Sequence, residues 1–149
     1  MEKEEKGYNL ALKYLTYRPR TIYELKFYLG KKGCKEEIIE STIEKLKCQG
    51  YLDDYEYTVN WLNYHLSRGK DGPALLEYKL LQKGVSKDII KEALKETMDE
   101  DMELKTAQDI IEKKFGEISE LSYEEKQRAG ANLQRKGFSY DTIVKVLDF

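Results

Sequence analysis

One pattern occurs three times in this chain. Leu29, Lys32 and Gly33 recur as Leu80, Lys83 and Gly84, and again as Leu133, Lys136 and Gly137. In each copy leucine stands four residues before the glycine and lysine directly before it. The residues that follow also match. An apolar residue comes first (Cys34, Val85, Phe138), then an acid at the fourth position (Glu37, Asp88, Asp141). Isoleucine occupies the sixth position (Ile39, Ile90, Ile143) and an apolar residue the tenth (Ile43, Leu94, Leu147). A helix that ends on a left-handed glycine folds the next apolar residue back onto its last turn, and an acid favours the first turn of a new helix. Each copy therefore encodes a helical hairpin. The copies recur at roughly 50-residue spacing, the period of a repeat whose unit is expected to bury its apolar face against its neighbours.

A further helix precedes each hairpin. Tyr8, Ala11, Leu12 and Leu15 fall at helical spacing, as do Tyr57, Trp61 and Tyr64, and Leu104, Ala107, Ile111 and Phe115. Capping-box spacing marks helix starts at Thr21 with Glu24, Asp53 with Glu56 and Ser122 with Glu125. Pro19 drives Arg18 out of helical geometry, and Pro73 after Gly72 suits a first helical position. The expected fold is all-α: nine helices in three tandem three-helix, helix-turn-helix-like repeats, over residues 1–52, 53–98 and 99–149, forming an elongated, curved array.

Composition narrows the function. Charged residues make up 36% of the chain and hydrophobic residues 40%, which fits a folded protein with charged helix surfaces. The 26 Lys and Arg are offset by 28 Asp and Glu, so the body as a whole is not the basic one that non-specific DNA binding requires. Residues 1–6 are charged and no later run approaches a membrane span, so a cytoplasmic protein is expected. Cys34 and Cys48 fall inside helical patterns and read as buried free thiols.

The order and spacing of several short segments resemble the RecX family of recombinase regulators. They are Arg18, Arg20, Thr21, Glu24 and Leu25; Gly50 to Asp54; Leu80 with Lys83, Gly84 and Val85; and Leu133 with Arg135 to Ser139 and Ile143. The match covers Ala11 to Phe149. It departs at Asn132, where the family tends to carry an aromatic residue, and at Asp53, where asparagine is common. The resemblance implies three-helix units that bind the RecA recombinase filament on single-stranded DNA, lodge in its groove and restrain its ATPase, strand exchange and growth. It also implies no catalytic site, in DNA repair and the SOS response.

The residues themselves offer no enzyme constellation. Gly30 to Gly33, and Gly69 with Lys70, lack phosphate-loop spacing. His65, Cys34 and Cys48 are too few for a zinc site, and Leu104 stands where a calcium loop beginning at Asp99 needs glycine. No metal or cofactor is expected. His65 reads as packing beside Trp61, and the stripe of Tyr57, Trp61 and Tyr64 reads as core, as does Tyr51.

Repetition puts similar residues along one face. Lys32, Lys83 and Lys136, with Lys31 and Arg135, form a candidate basic row for a phosphate backbone or an acidic stripe on a protein filament, and Arg18, Arg20, Arg68 and Lys70 join it from the connections. The same lysines also suit the last turn of any helix, where the macrodipole favours cations. Two readings follow. One is a monomer that docks on the RecA filament and touches single-stranded DNA weakly or indirectly. The other is a direct DNA-binding protein of helix-turn-helix type, against which stand the net charge of -2 and the acids Glu37, Glu40, Glu44, Asp88 and Asp141.

Overall fold

A computed structural model describes residues 2–149. Nine α-helices follow in order: α1 (Glu2–Tyr17), α2 (Ile22–Lys31), α3 (Glu36–Cys48), α4 (Asp54–Arg68), α5 (Pro73–Gln82), α6 (Lys87–Thr97), α7 (Glu100–Phe115), α8 (Tyr123–Arg135) and α9 (Tyr140–Leu147). A single 3-10 turn, Ile118–Glu120, precedes α8. No strand occurs among the described residues. The caps are where the sequence places them. Thr21 and Ser122 form reciprocal capping boxes with Glu24 and Glu125, Asp53 accepts from the amides of Tyr55 and Glu56, and Pro73 opens α5.

The glycine turns have the expected form. Gly33, Gly84 and Gly137 have φ of 84°, 85° and 90°. The amide of the next residue reaches back to the leucine carbonyl: Cys34 to Leu29 at 3.1 Å, Val85 to Leu80 at 3.2 Å and Phe138 to Leu133 at 3.1 Å. The glycine amide bonds one residue further on, to Gly30, Leu81 and Gln134. These two bonds satisfy carbonyls that a helix end otherwise leaves orphaned.

Each triad owns its core, contrary to the expectation that a unit needs its neighbours to bury its apolar face. Ala11, Leu25, Leu29, Ile43, Leu46 and Leu52 cluster in the first triad, Leu62, Leu76, Leu80, Val85, Ile90 and Ala93 in the second, and Ala107, Ile111, Ala129, Leu133, Phe138, Ile143 and Leu147 in the third. Three helices meeting at one seam suffice because together with their turns they enclose six or seven buried apolar residues in each triad, the larger of which contribute about 1.5–3 kcal/mol each. In every triad the first helix lies along the third. A polar tie accompanies the contact: Tyr8 donates to Gln49 at 2.7 Å, Tyr55 to Glu96, and Lys145 to Glu100.

Hydrogen-bonded joints connect the triads. The turn of each later triad rests on the start of the preceding triad's middle helix. Thr21 Oγ1 donates to the carbonyl of Lys83 at 2.7 Å, and the Ile22 amide donates to Asp54 Oδ1 at 2.9 Å. At the second joint the amides of Gly72 and Ala74 donate to the carbonyls of Lys136 and Gly137 at 2.7 and 3.0 Å. A β-carbon on Gly84 would overlap the side chain of Tyr23, and one on Gly137 would overlap Leu75. A β-carbon on Gly33 would meet nothing within 4 Å.

Several side chains depart from expectation. Cys34 is half-buried and Cys48 exposed. Tyr64 and Tyr51 are 58% and 62% exposed, because Tyr64 points off the outer side of α4 and Tyr51 follows the left-handed Gly50 out of the first core. Asn132 is 5% exposed, and its Oδ1 has no partner.

Two predictions follow from the turns and the core. Gly33→Ala meets open space and is expected to cost about 1 kcal/mol from the left-handed φ alone. Gly84→Ala and Gly137→Ala add a steric clash with the neighbouring triad and are expected to cost at least twice as much in urea unfolding. They should also enlarge the radius of gyration in small-angle scattering. Asn132→Leu removes an unpaired buried side-chain carbonyl from the last turn of α8 and is expected to stabilise the protein by about 1 kcal/mol in the same titration.

Candidate binding surface

The nine basic residues separate into three kinds of position. Lys31, Lys32, Arg18, Arg68, Lys70 and Arg135 have exposed side chains. Lys83 and Lys136 are half-buried, and their carbonyls are the acceptors of the two joints. Arg20 is packed. Its guanidinium lies 4.0 Å from the centre of the Tyr14 ring, which in turn stacks on Tyr28 at 3.9 Å, and its Nε is buried without a hydrogen-bond partner. Arg20 therefore braces α1 against α2. Stacking of a guanidinium on an aromatic face contributes about 0.5–2 kcal/mol there.

Aromatic rings accompany the exposed cations. The Lys31 ammonium lies 4.8 Å from the Phe27 ring centre and that of Lys32 5.6 Å from Tyr28. Arg68 lies over Tyr64 at 5.7 Å and donates to its hydroxyl at 3.1 Å. Tyr17, Phe27 and Tyr78 are 73%, 57% and 58% exposed. Sequence reasoning passed over all three; the abundance of tyrosine, 12 in the chain, was the available signal. Exposed aromatic rings beside arginine are the composition of protein interfaces.

Two clefts lie where the first triad meets the second. One, of about 500 Å³, brings Tyr17, Arg18, Arg20 and Tyr51 together with Asp53, Glu56 and Tyr57. Arg18 reaches Glu24 at 3.8 Å. Burial, reinforced by the nearby Glu24, pushes the Tyr57 phenol up to about 12, so it remains a neutral hydrogen-bonding group. The other cleft, of about 510 Å³, is lined by Trp61, His65, Tyr78, Lys79 and Lys83, with Glu24 at its edge. His65 stacks on Trp61 at 3.9 Å, as packing requires, and burial together with Lys79 lowers its pKa. Lys79 is itself bound to Asp71 at 2.7 Å.

The acids of the third helices, Glu37, Glu40, Glu44, Asp88 and Asp141, are all exposed. The calcium-like segment is structural: Asp99 caps α7 through the Met102 amide, and Glu103 accepts from the amide and hydroxyl of Ser139. No group of three or more His, Cys, Asp or Glu side chains converges among the described residues. No helix described is long and apolar enough to cross a membrane.

Three self-contained helical triads joined turn to helix start define a tandem three-helix repeat protein. The chain belongs to the RecX family. The models of the RecX first, second and third three-helix domains match residues 8–46, 53–94 and 100–147. Regulatory protein RecX of Lactobacillus johnsonii is 37% identical over 148 residues, covering 99% of this chain and 54% of the relative. That of Bacillus subtilis is also 37% identical, covering 99% and 56%. The chain thus spans about half the length of the curated relatives it matches. The crystal structure of RecX from Lactobacillus salivarius superimposes with a TM-score of 0.91 at 29% identity, covering 99% of this chain and 97% of that one. A second crystal structure, of regulatory protein RecX, gives 0.87 at 25% identity and covers 99% of this chain and 74% of that one.

Asp54 gives a pH prediction for the first joint. Burial raises its carboxyl pKa above the ordinary aspartate value of 3.8, against the opposing hydrogen bond from the Ile22 amide. A raised folded pKa means the folded state binds the proton more readily, so acidification through that pKa toward 3.8 adds stability that is absent at neutral pH. Asp54→Asn keeps the acceptor and removes the titration. Its stability relative to wild type is expected to fall as pH drops from 7 toward 4, read from paired urea curves. Asp54→Ala orphans the Ile22 amide and is expected to cost about 1–3 kcal/mol.

Proposed function

We propose that this protein regulates a recombinase of the RecA type by binding its filament on single-stranded DNA, and that it mostly inhibits ATP hydrolysis, strand exchange and filament growth. The observation that carries this reading is the pair of equivalent joints. They hold three triads in one fixed succession, so exposed basic and aromatic groups recur along the chain, and a repeated surface suits a repeated partner. Family membership supplies the regulatory role, since the relatives are named regulatory proteins. The action is binding rather than catalysis, in the cytoplasm. Contact with single-stranded DNA is weak or made through the recombinase.

The contact residues in this reading are the exposed cations Arg18, Lys31, Lys32, Arg68, Lys70 and Arg135, with Tyr17 and Tyr51 as aromatic anchors. Arg20, Lys83 and Lys136 serve by holding the surface in place. The alternative of duplex reading by a recognition helix meets the exposed acids of α3, α6 and α9, which repel phosphate.

Adding the protein to RecA filaments on single-stranded DNA is expected to lower the ATPase rate and to carry the protein into the filament pellet. Arg18→Glu combined with Lys70→Glu should weaken co-sedimentation by about tenfold while leaving urea unfolding within about 0.5 kcal/mol of wild type. Absence of both effects with the wild-type protein rules the reading out. Tight, salt-sensitive binding to duplex DNA alone would put the helix-turn-helix alternative in its place.

A further inference from the structure

Arg20 holds a charge that nothing in the chain answers. Its guanidinium is fixed from one side by the Tyr14 ring, 4.0 Å from the ring centre, and Tyr14 is backed in turn by Tyr28. Its Nε is buried without a hydrogen-bond partner, and Arg20 enters none of the ion pairs among the described residues. Stacking accounts for the position of the group but leaves its N–H fork unused, because a ring face attracts the cation without taking up its donors. A packed cation with idle donors is costly to keep and calls for a reason.

The second repeat fills the same positions differently. Asp71 stands where Arg20 does, directly before the cap of the middle helix, and Lys79 stands where Tyr28 does, directly before the repeated leucine. Asp71 and Lys79 form an ion pair at 2.7 Å, so the charge is satisfied within that repeat. In the third repeat Leu121 and Asn132 occupy the two places and carry no charge. The unanswered guanidinium is therefore particular to the first repeat and is not a requirement of the three-helix unit.

Its neighbours make a site of it. Arg20 lines the cleft of about 500 Å³ between the first and second triads together with Arg18, on the other side of Pro19. Arg18 is held only by a 3.8 Å contact with Glu24, a long surface pair that is readily given up. The Tyr57 phenol lines the same cleft; burial and Glu24 raise its pKa while Arg18 and Arg20 oppose them, which puts both guanidiniums near its hydroxyl. Tyr17 and Tyr51, both exposed, line the cleft as well.

Charge selects the occupant. Two guanidiniums and a neutral phenol offer N–H and O–H donors to an oxyanion, and the planar arginine fork matches the two oxygens of a carboxylate. Asp53 and Glu56 also line the cleft and balance its two cations. A single carboxylate can enter between the guanidiniums, whereas a nucleic-acid backbone would bring a row of phosphates against those acids. The exposed tyrosines suit apolar groups on either side of the anion.

We propose that Arg18 and Arg20 bind the side-chain carboxylate of an Asp or Glu on a protein partner, in a segment whose neighbouring apolar residues pack on Tyr17 and Tyr51. This adds a contact role to the bracing role of Arg20. It rests on the reading of this protein as one that binds a protein filament, and it names the chemistry that such a filament presents to the cleft.

The first test needs neither recombinase nor DNA. The peptide acetyl-Leu-Glu-Leu-amide is titrated into the protein while the Arg20 Nε–H resonance is followed by NMR. A saturable shift is expected, with the Gln counterpart of the peptide binding at least about tenfold more weakly. Arg20→Lys keeps the charge but not the fork and is expected to lose at least about tenfold in affinity, read from the Tyr57 ring signals. A Glu peptide that leaves Arg20 unmoved overturns the inference, and so does an oligothymidylate that moves it in the peptide's place. The second test is co-sedimentation with RecA filaments on single-stranded DNA, which Arg20→Lys is expected to weaken. An Arg20→Lys protein that unfolds earlier in urea yet co-sediments like wild type has lost a brace alone, and that too overturns the inference. Peptide binding by a protein that never enters the filament pellet supports the carboxylate site and removes the filament reading, so the two failures are distinguishable.

Discussion

The architecture depends on helix starts meeting helix ends. A helix leaves amides unpaired at its first turn and carbonyls unpaired at its last. In this protein the Lys136 and Gly137 carbonyls, at the end of α8, take their hydrogens from Gly72 and Ala74 at the start of α5, and Lys83 takes one from the Thr21 hydroxyl that caps α2. Each joint thereby brings the positive end of one helix dipole to the negative end of another. Such close approach needs the turn to be bare, and the glycine required by the left-handed φ supplies that as well. One residue type meets both demands at Gly84 and Gly137, whereas at Gly33 only the first applies.

Stability and orientation are consequently set by different parts of the molecule. The three aliphatic clusters lie within triads, so each triad holds its helices without help from the next. The joints contribute a few hydrogen bonds, each worth about 0.5–1.5 kcal/mol, too little to fold a triad but enough to choose how one sits on another. Asp54 shows how finely this choice is made. It is a buried carboxylate whose desolvation opposes ionisation, and it is placed where it accepts the Ile22 amide across the boundary. Hydrogen bonds at a boundary add direction that apolar contact lacks, which favours one succession of triads over others of similar buried area.

Much of the fold was legible because helix punctuation is local. A glycine with lysine before it and an apolar residue after it, a Thr or Ser three residues before Glu, and a proline at Pro73 each act within one or two turns, so their meaning survives in a linear sequence. What was not legible is long-range. Nothing in the spacing of Lys83 tells that its carbonyl is held by Thr21, sixty-two residues away. The stripe of Tyr57, Trp61 and Tyr64 also misled, because helical periodicity places residues on neighbouring faces without saying which face is covered. Tyr57 and Trp61 pack against the second core while Tyr64 turns outward to meet Arg68. Arg20 reads as a free connector cation in the sequence, and only the Tyr14–Tyr28 stack beneath it shows that it is packed.

The repeated lysine was open to two readings, a contact or a helix-end device, and the joints add a third element to the choice. At Lys83 and Lys136 the main chain makes the joint, since any residue there presents the same carbonyl, and the side chain is half-buried. At Lys32 the carbonyl has no such partner and the side chain is exposed over Tyr28. Sequence equivalence among the three therefore hides a difference in role. The turns of the second and third repeats are held against a neighbouring triad, and the turn of the first is exposed.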